Sequence, residues 1–217
     1  MEIENEIEDI ELREAYHKYV LGQDVWYFTH YLNVDSPSEY YDSIKKMISD
    51  KLGIHFNNIA IAGSAKTGIS LSPKKNFAKF HEKSDFDIIL VSRKLYYELW
   101  EAYVDMYYSQ ITIMEYAEVK KSIFKKFISL KEPTLKHDRI IKWVKDVDSF
   151  IKDFQLIYKI NHEINYRIYD SWESVERYHH FGLTQLKSKV YNKRKSQQKI
   201  LNLLNGIINY KNGNTKQ

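Results

Sequence analysis

Cysteine is absent from the 217 residues, which excludes a disulfide framework, a thiolate-ligated zinc or iron–sulfur centre and a thiol nucleophile. Long apolar runs are absent too. No stretch approaches the ~20 apolar residues that cross a bilayer, and the segment MEIENEIEDIELRE is acidic where a signal or transit peptide is basic. The expectation is a cytoplasmic protein with neither a targeting segment nor a membrane span. Glycine is scarce, at seven residues, so two glycines close together ask for a backbone reason. The net charge of +4 is too mild to announce a nucleic-acid binder.

What is present is material for a core: 43% of residues are hydrophobic and 15% aromatic, which excludes wholesale disorder. The length suits one compact domain, or a domain with a helical appendage. Charge is unevenly spread. Residues 1–16 hold seven acids against Arg13, whereas residues 181–217 hold eight Lys or Arg and no acid.

The periodicity predicts helix over about 3–32, with Ile3, Ile7 and Ile10 on one face. A second helix is expected over 36–51, with Ser36 as cap, Pro37 in the first turn, Glu39 closing a capping box and Gly53 as the stop. NIAIAG (58–63) and DFDIILVS (85–92) read as buried strands. Helix is expected at 94–108, and ITIMEYAEVKKSIFKKFISL is expected to begin as strand and continue as helix before Pro133 breaks the chain. A helix fits 137–157. EINYRIY (163–169) alternates as a strand, with Ile164, Tyr166 and Ile168 on one face and Asn165, Arg167 and Tyr169 on the other. A long helix follows from Ser171, and the polar tail from about 211 is expected to fray. The fold class is therefore α/β or α+β, a small mixed sheet flanked by helices. Residues 1–56 and 171–217 are helical extensions around a core at 57–170.

Gly63 and Gly68 fall together in GSAKTGIS, directly after a strand. Such a junction exposes backbone N–H groups suited to phosphate oxygens, or simply makes a tight turn. Ile69, standing where the phosphate-contacting lysine belongs, and acids that open a strand instead of closing one argue against a P-loop. Asp85 and Asp87, two apart at the start of a strand, project to the same side. Paired carboxylates repel unless a cation intervenes, and oxygen-only ligation suits Mg²⁺ held together with substrate phosphates. Alone, an Asp-x-Asp at a strand end is more often solvated or capping.

The combination IAIAGSAKTG…SDFDIILVS, about 35 residues, resembles the nucleotidyltransferase superfamily of DNA polymerase beta. The resemblance implies that Gly63 and Ser64 contact an NTP triphosphate, and that Asp85 and Asp87 are catalytic ligands of Mg²⁺ (or Mn²⁺). It adds Lys66 and Arg167 as candidate nucleotide contacts. It further implies transfer of a nucleoside monophosphate to a hydroxyl on a nucleotide, nucleic-acid end, protein or small molecule. Similar small bacterial proteins act in antiphage signalling or toxin–antitoxin pairs. Two departures stand out. Twenty residues separate Ser64 from Asp85, and the insertion, with Pro73, Lys74, Lys75 and Lys79, reads as a lid or as a solvated loop. The family's third carboxylate has no plain counterpart: Glu163 is the first candidate and Asp170 the second, while Asn165 in that position would weaken a second metal site. The alternative is a catalytically degenerate fold that binds nucleotide, RNA or a protein partner.

The eight histidines include no H-x-x-x-H pair, and His179 and His180 diverge on a helix, so no zinc is assigned. Tyr107, Tyr108, Tyr166, Tyr169 and Tyr178 are read as core in preference to base-stacking platforms. Lys187, Lys189, Lys193, Arg194, Lys195 and Lys199 form a basic end. It is a solvated face, a nucleic-acid track, or a partner for the acidic amino terminus of the same or another copy, the last giving a homo-oligomer.

Overall fold

The computed structural model describes the backbone of residues 2–130 and 136–213 and the side chains of 3–130 and 136–205. Among these residues a mixed four-stranded sheet in the order β1-β2-β4-β3 is flanked by helices. Its strands are β1 (Ile59–Ala62), β2 (Phe86–Val91), β3 (Phe127–Ile128) and β4 (Ile164–Tyr169). β1 runs antiparallel to β2, β2 parallel to β4, and β3 antiparallel to β4. Helices α1 (Glu2–Asp9), α2 (Leu12–Tyr16) and α3 (Pro37–Leu52) precede the sheet, and the short α4 (Gly63–Thr67) follows β1. Next come α5 (Arg93–Tyr108), α6 (Tyr116–Phe124), α7 (Asp138–Tyr158) and α8 (Trp172–Gly213).

Strand alternation divides the core in two. Phe86, Ile88 and Leu90 of β2, with Ile164, Tyr166 and Ile168 of β4, pack with α3, α5 and α7 around residues such as Ile44, Leu99 and Phe154. Polar handles inside this cluster are paired: Trp143 Nε1 donates to the Tyr166 hydroxyl at 3.2 Å. The Tyr41 hydroxyl accepts from Ile61 N at 3.0 Å, which satisfies an outward N–H of the edge strand β1. On the other face Ala60, Ala62, Ile89, Val91 and Tyr169 meet α1, α2 and the first half of α8 through Ile7, Tyr16, Val175, Leu183 and Leu186.

Several expectations are corrected. The continuous helix over 3–32 is interrupted after Asp9 and again at Gly22, with π-helical turns at His17–Leu21 and Tyr27–Tyr31. At the second break the Gly22 carbonyl accepts from the Lys66 ammonium. α3 ends at Gly53 in the left-handed conformation, as expected of a glycine stop, but Ser36 makes no side-chain cap, so the capping box does not form. The 111–130 segment reverses the expected order, with α6 first and the two-residue β3 after it. Ile111 and Ile113 pack on the main cluster as irregular chain instead. The break at Pro133 lies outside the described residues. α8 runs to Gly213, and most of the polar tail expected to fray lies outside the described residues. Tyr107 and Tyr108 are exposed, not core.

The acidic and basic ends of the chain meet. Glu4 pairs with Lys193 at 3.3 Å and Glu8 with Arg194 at 2.6 Å, and Lys187 donates to the Ile10 carbonyl. Lys187, Lys193 and Arg194 of α8 thus have partners within the same chain. Among the described residues no helix is long and apolar enough to cross a membrane.

Candidate nucleotide site

The polar residues singled out in the sequence gather at one end of the second sheet face. Along β2 the order on that face is Asp87, then Ile89 and Val91, with Asp85 one residue before the strand. Along β4 it is Asn165, Arg167, then Tyr169. The registers Ala62↔Asp87 and Asp87↔Asn165 therefore set the Gly63 turn, the Asp-x-Asp pair and the β4 polar residues side by side.

Gly63 has φ +69°, and a Cβ built on it would overlap the Asp87 carboxylate. The positive φ favours glycine, and any side chain there would push the Asp87 carboxylate aside. Gly68 closes α4 with φ +75°, and a Cβ there would sit 2.8 Å from the Trp26 ring. Between them Ser64 is half-buried, one residue along from the Asp87 contact.

Arg167 is the cation of this cluster. Its Nη1 lies 3.6 Å from Asp87 Oδ1, and its guanidinium carbon is 5.7 Å from the Phe127 ring centroid and 5.6 Å from that of Tyr178. Burial opposes its charge, but Asp87 above all outweighs burial and raises the guanidinium above its usual value. Sequence alternation placed Arg167 on the aspartate face; nothing in the sequence indicated its contacts with Phe127 and Tyr178, because a two-residue edge strand carries no period. Behind Arg167, burial first, then the guanidinium and His180, hold His179 down to about 3. The Nε2 of His179 and the hydroxyl of Tyr169 are buried without hydrogen-bond partners.

The other candidates fall outside this cluster. Lys66 is 3% exposed, donates to the Gly22 carbonyl and approaches the Tyr41 ring, so its ammonium is turned into the protein. Burial lowers it to about 8, against the opposing pull of Asp24. Glu163 is exposed at the start of β4, where its carbonyl accepts from Phe86 N. It borders a cavity of about 130 Å³ shared with Ser129, Asp148 and Asn165. Asp170 accepts from Ser174 Oγ at the start of α8 and faces Lys126 at 3.7 Å. Among the described residues no three His, Cys, Asp or Glu side chains come together as a metal-binding group. The insertion after Gly68 folds back on itself through an Ile69↔Lys79 bridge, and Lys189 of α8 holds the Pro73 carbonyl at 2.9 Å. No family model matches this sequence, and comparison with curated proteins and with solved structures returns no significant match.

The donor set fits one hard divalent cation and not two. Asp85 and Asp87 offer carboxylate oxygens on one side of a strand, enough for Mg²⁺ when substrate phosphates complete its shell. Among the described residues no third carboxylate joins the pair, and Arg167 Nη1 lies 3.6 Å from Asp87 Oδ1.

Proposed function

We propose that the protein is a Mg²⁺-dependent nucleotidyltransferase of the polymerase-beta type. An NTP triphosphate lies against Gly63 and Ser64, and its nucleoside monophosphate passes to a hydroxyl acceptor with release of pyrophosphate. The observation that carries this reading is the contact between Gly63 and Asp87. A glycine whose missing side chain makes room for a strand-opening aspartate joins the phosphate turn to the carboxylate pair in one site. When bound, a divalent ion on Asp85 and Asp87 would neutralise phosphate oxygens and favour in-line displacement. The chain's own part is orientation: the Gly63 turn offers backbone N–H groups, and Arg167 adds a fixed positive charge at the same edge. The acceptor class stays open among nucleic acid, protein and small molecule, and a cytoplasmic setting goes with NTP as substrate.

The test is pyrophosphate release from the four NTPs and four dNTPs with Mg²⁺ or Mn²⁺, with and without RNA and DNA. Release that vanishes in Asp85→Asn plus Asp87→Asn supports transfer; release that persists in that double variant removes it. A second reading is favoured by Asn165 and Arg167, which stand on β4 where the resemblance implies a carboxylate. In that reading the protein is a catalytically degenerate relative that binds nucleotide, RNA or a protein partner. It predicts ligand binding without pyrophosphate release, surviving Asp87→Asn.

A further inference from the structure

The family resemblance implies two divalent ions and three carboxylates, and the cluster at the end of β2 and β4 does not supply them. The register pairs Asp87 with Asn165, a neutral amide. Two residues on, and on the same face, Arg167 reaches Asp87 at 3.6 Å. We infer that Arg167 is a built-in cation that takes the place of the second divalent ion and binds the triphosphate oxygens directly, so that the site loads a single metal. This rests on the nucleotide reading above and deepens it.

Three observations support the exchange. Charge is conserved by it: two carboxylates, one guanidinium and one divalent ion carry one net positive charge. Three carboxylates with two divalent ions carry the same. Geometry comes next. Phe127 and Tyr178, packed edge-to-face against each other 5.3 Å apart, lie 5.7 and 5.6 Å from the guanidinium carbon, an aromatic wall on one side that keeps the charge beside Asp87. Finally, Arg167 Nη1 lies 3.6 Å from Asp87 Oδ1, and the Arg167 side chain keeps 30% of its surface exposed. An arginine serving only as structural glue would be expected to grip the carboxylate with both nitrogens. This one keeps exposed surface that a phosphate oxygen can reach.

Inorganic tripolyphosphate is the probe, because it has the chain of phosphates without a base. Calorimetry in EDTA should show binding to the wild type that weakens roughly 10- to 100-fold in Arg167→Gln, the loss expected for charge-assisted hydrogen bonds. Arg167→Lys, which keeps the charge but not the fork, should fall between. Mn²⁺ counted by electron paramagnetic resonance in the presence of tripolyphosphate should give one ion per wild-type chain and two in Asn165→Asp plus Arg167→Gln. Two ions in the wild type would overturn the inference while leaving the nucleotide reading intact, and this count needs no variant to fold. Equal metal-free affinity in wild type and Arg167→Gln, with an unchanged melting temperature, would overturn it equally. Absence of tripolyphosphate binding with and without Mn²⁺ would remove the nucleotide reading itself, and Arg167's role with it.

Discussion

The two faces of the sheet are made by the same strands and do opposite things. On the face toward α3, α5 and α7, residues 86, 88 and 90 of β2 and 164, 166 and 168 of β4 are buried and apolar apart from a paired tyrosine hydroxyl. On the other face apolar residues fill only the far ends of β2 and β4, and their starts carry Asp85, Asp87, Asn165 and Arg167. One face can therefore hold the fold while half of the other is released from packing. Polar groups are tolerated there because they pair with one another and keep part of their surface in water.

The sharpest test of that division sets a core truncation against a site substitution. Phe154→Ala, in the first cluster and fully buried, should cost about 3–5 kcal/mol in denaturant unfolding. Asp85→Asn plus Asp87→Asn should leave the unfolding midpoint nearly unchanged while abolishing pyrophosphate release. Should the pair unfold the protein as readily as Phe154→Ala, the division of labour between the faces would be wrong.

Gly63→Ala belongs between these extremes, since it disturbs the seam where turn and carboxylate meet. The left-handed backbone alone costs roughly 1–2 kcal/mol, and displacement of Asp87 should weaken triphosphate binding as well. A loss of stability with binding untouched would separate Gly63 from the site.

Acid should expose the boundary between the polar and apolar halves of the second face. His179, held down to about 3 by burial, Arg167 and His180, binds fewer protons folded than unfolded between that value and about 6.5. Stability should therefore fall as pH drops through 6.5 toward 3, and His179→Leu should flatten the fall. Tyr16 and Tyr178 also contact its ring. Lys66 gives the alkaline counterpart. Its folded value of about 8 lies below the ordinary 10.5, so its contribution to stability should improve as pH rises from 8. Above 10 the buried tyrosines oppose this, Tyr166 and Tyr96 being raised to about 12. The difference between wild type and Lys66→Met, followed by thermal melts across pH 7–10, isolates the lysine. The smallest effect is expected at Arg194→Ala, under about 1 kcal/mol and shrinking with salt, since its pair with Glu8 is partly exposed.

The strands were legible because a period of two survives without tertiary help: Asp87, Asn165 and Arg167 fall on one face of β2 and β4, opposite Ile88, Tyr166 and Ile168. Lys66 was not legible as a buried residue. A lysine inside a glycine-bounded loop looks solvated until a carbonyl such as Gly22, 44 positions away, is brought to it. The order of α6 and β3 was missed because a two-residue strand is defined by its neighbour β4 and not by its own residues. The broken first helix was missed for a related reason. Its apolar spacing continues through Gly22, and the interruption reflects packing against β1 and α4.

α8 follows every strand in the sequence, yet it closes the face that β1 and β2 open. While the chain is being synthesised, Ala60, Ala62, Ile89, Val91 and Tyr169 have α1 and α2 nearby but not the helix that completes their cover. The first cluster, built from residues 25–168, has all its parts before α8 exists. Assembly in two stages follows, with the sheet and its α3–α5–α7 layer formed first and the half-covered second face awaiting its final strap. During that interval the exposed apolar strip is open to mispairing with other chains, so the yield of correctly folded protein should depend on how quickly α8 is delivered.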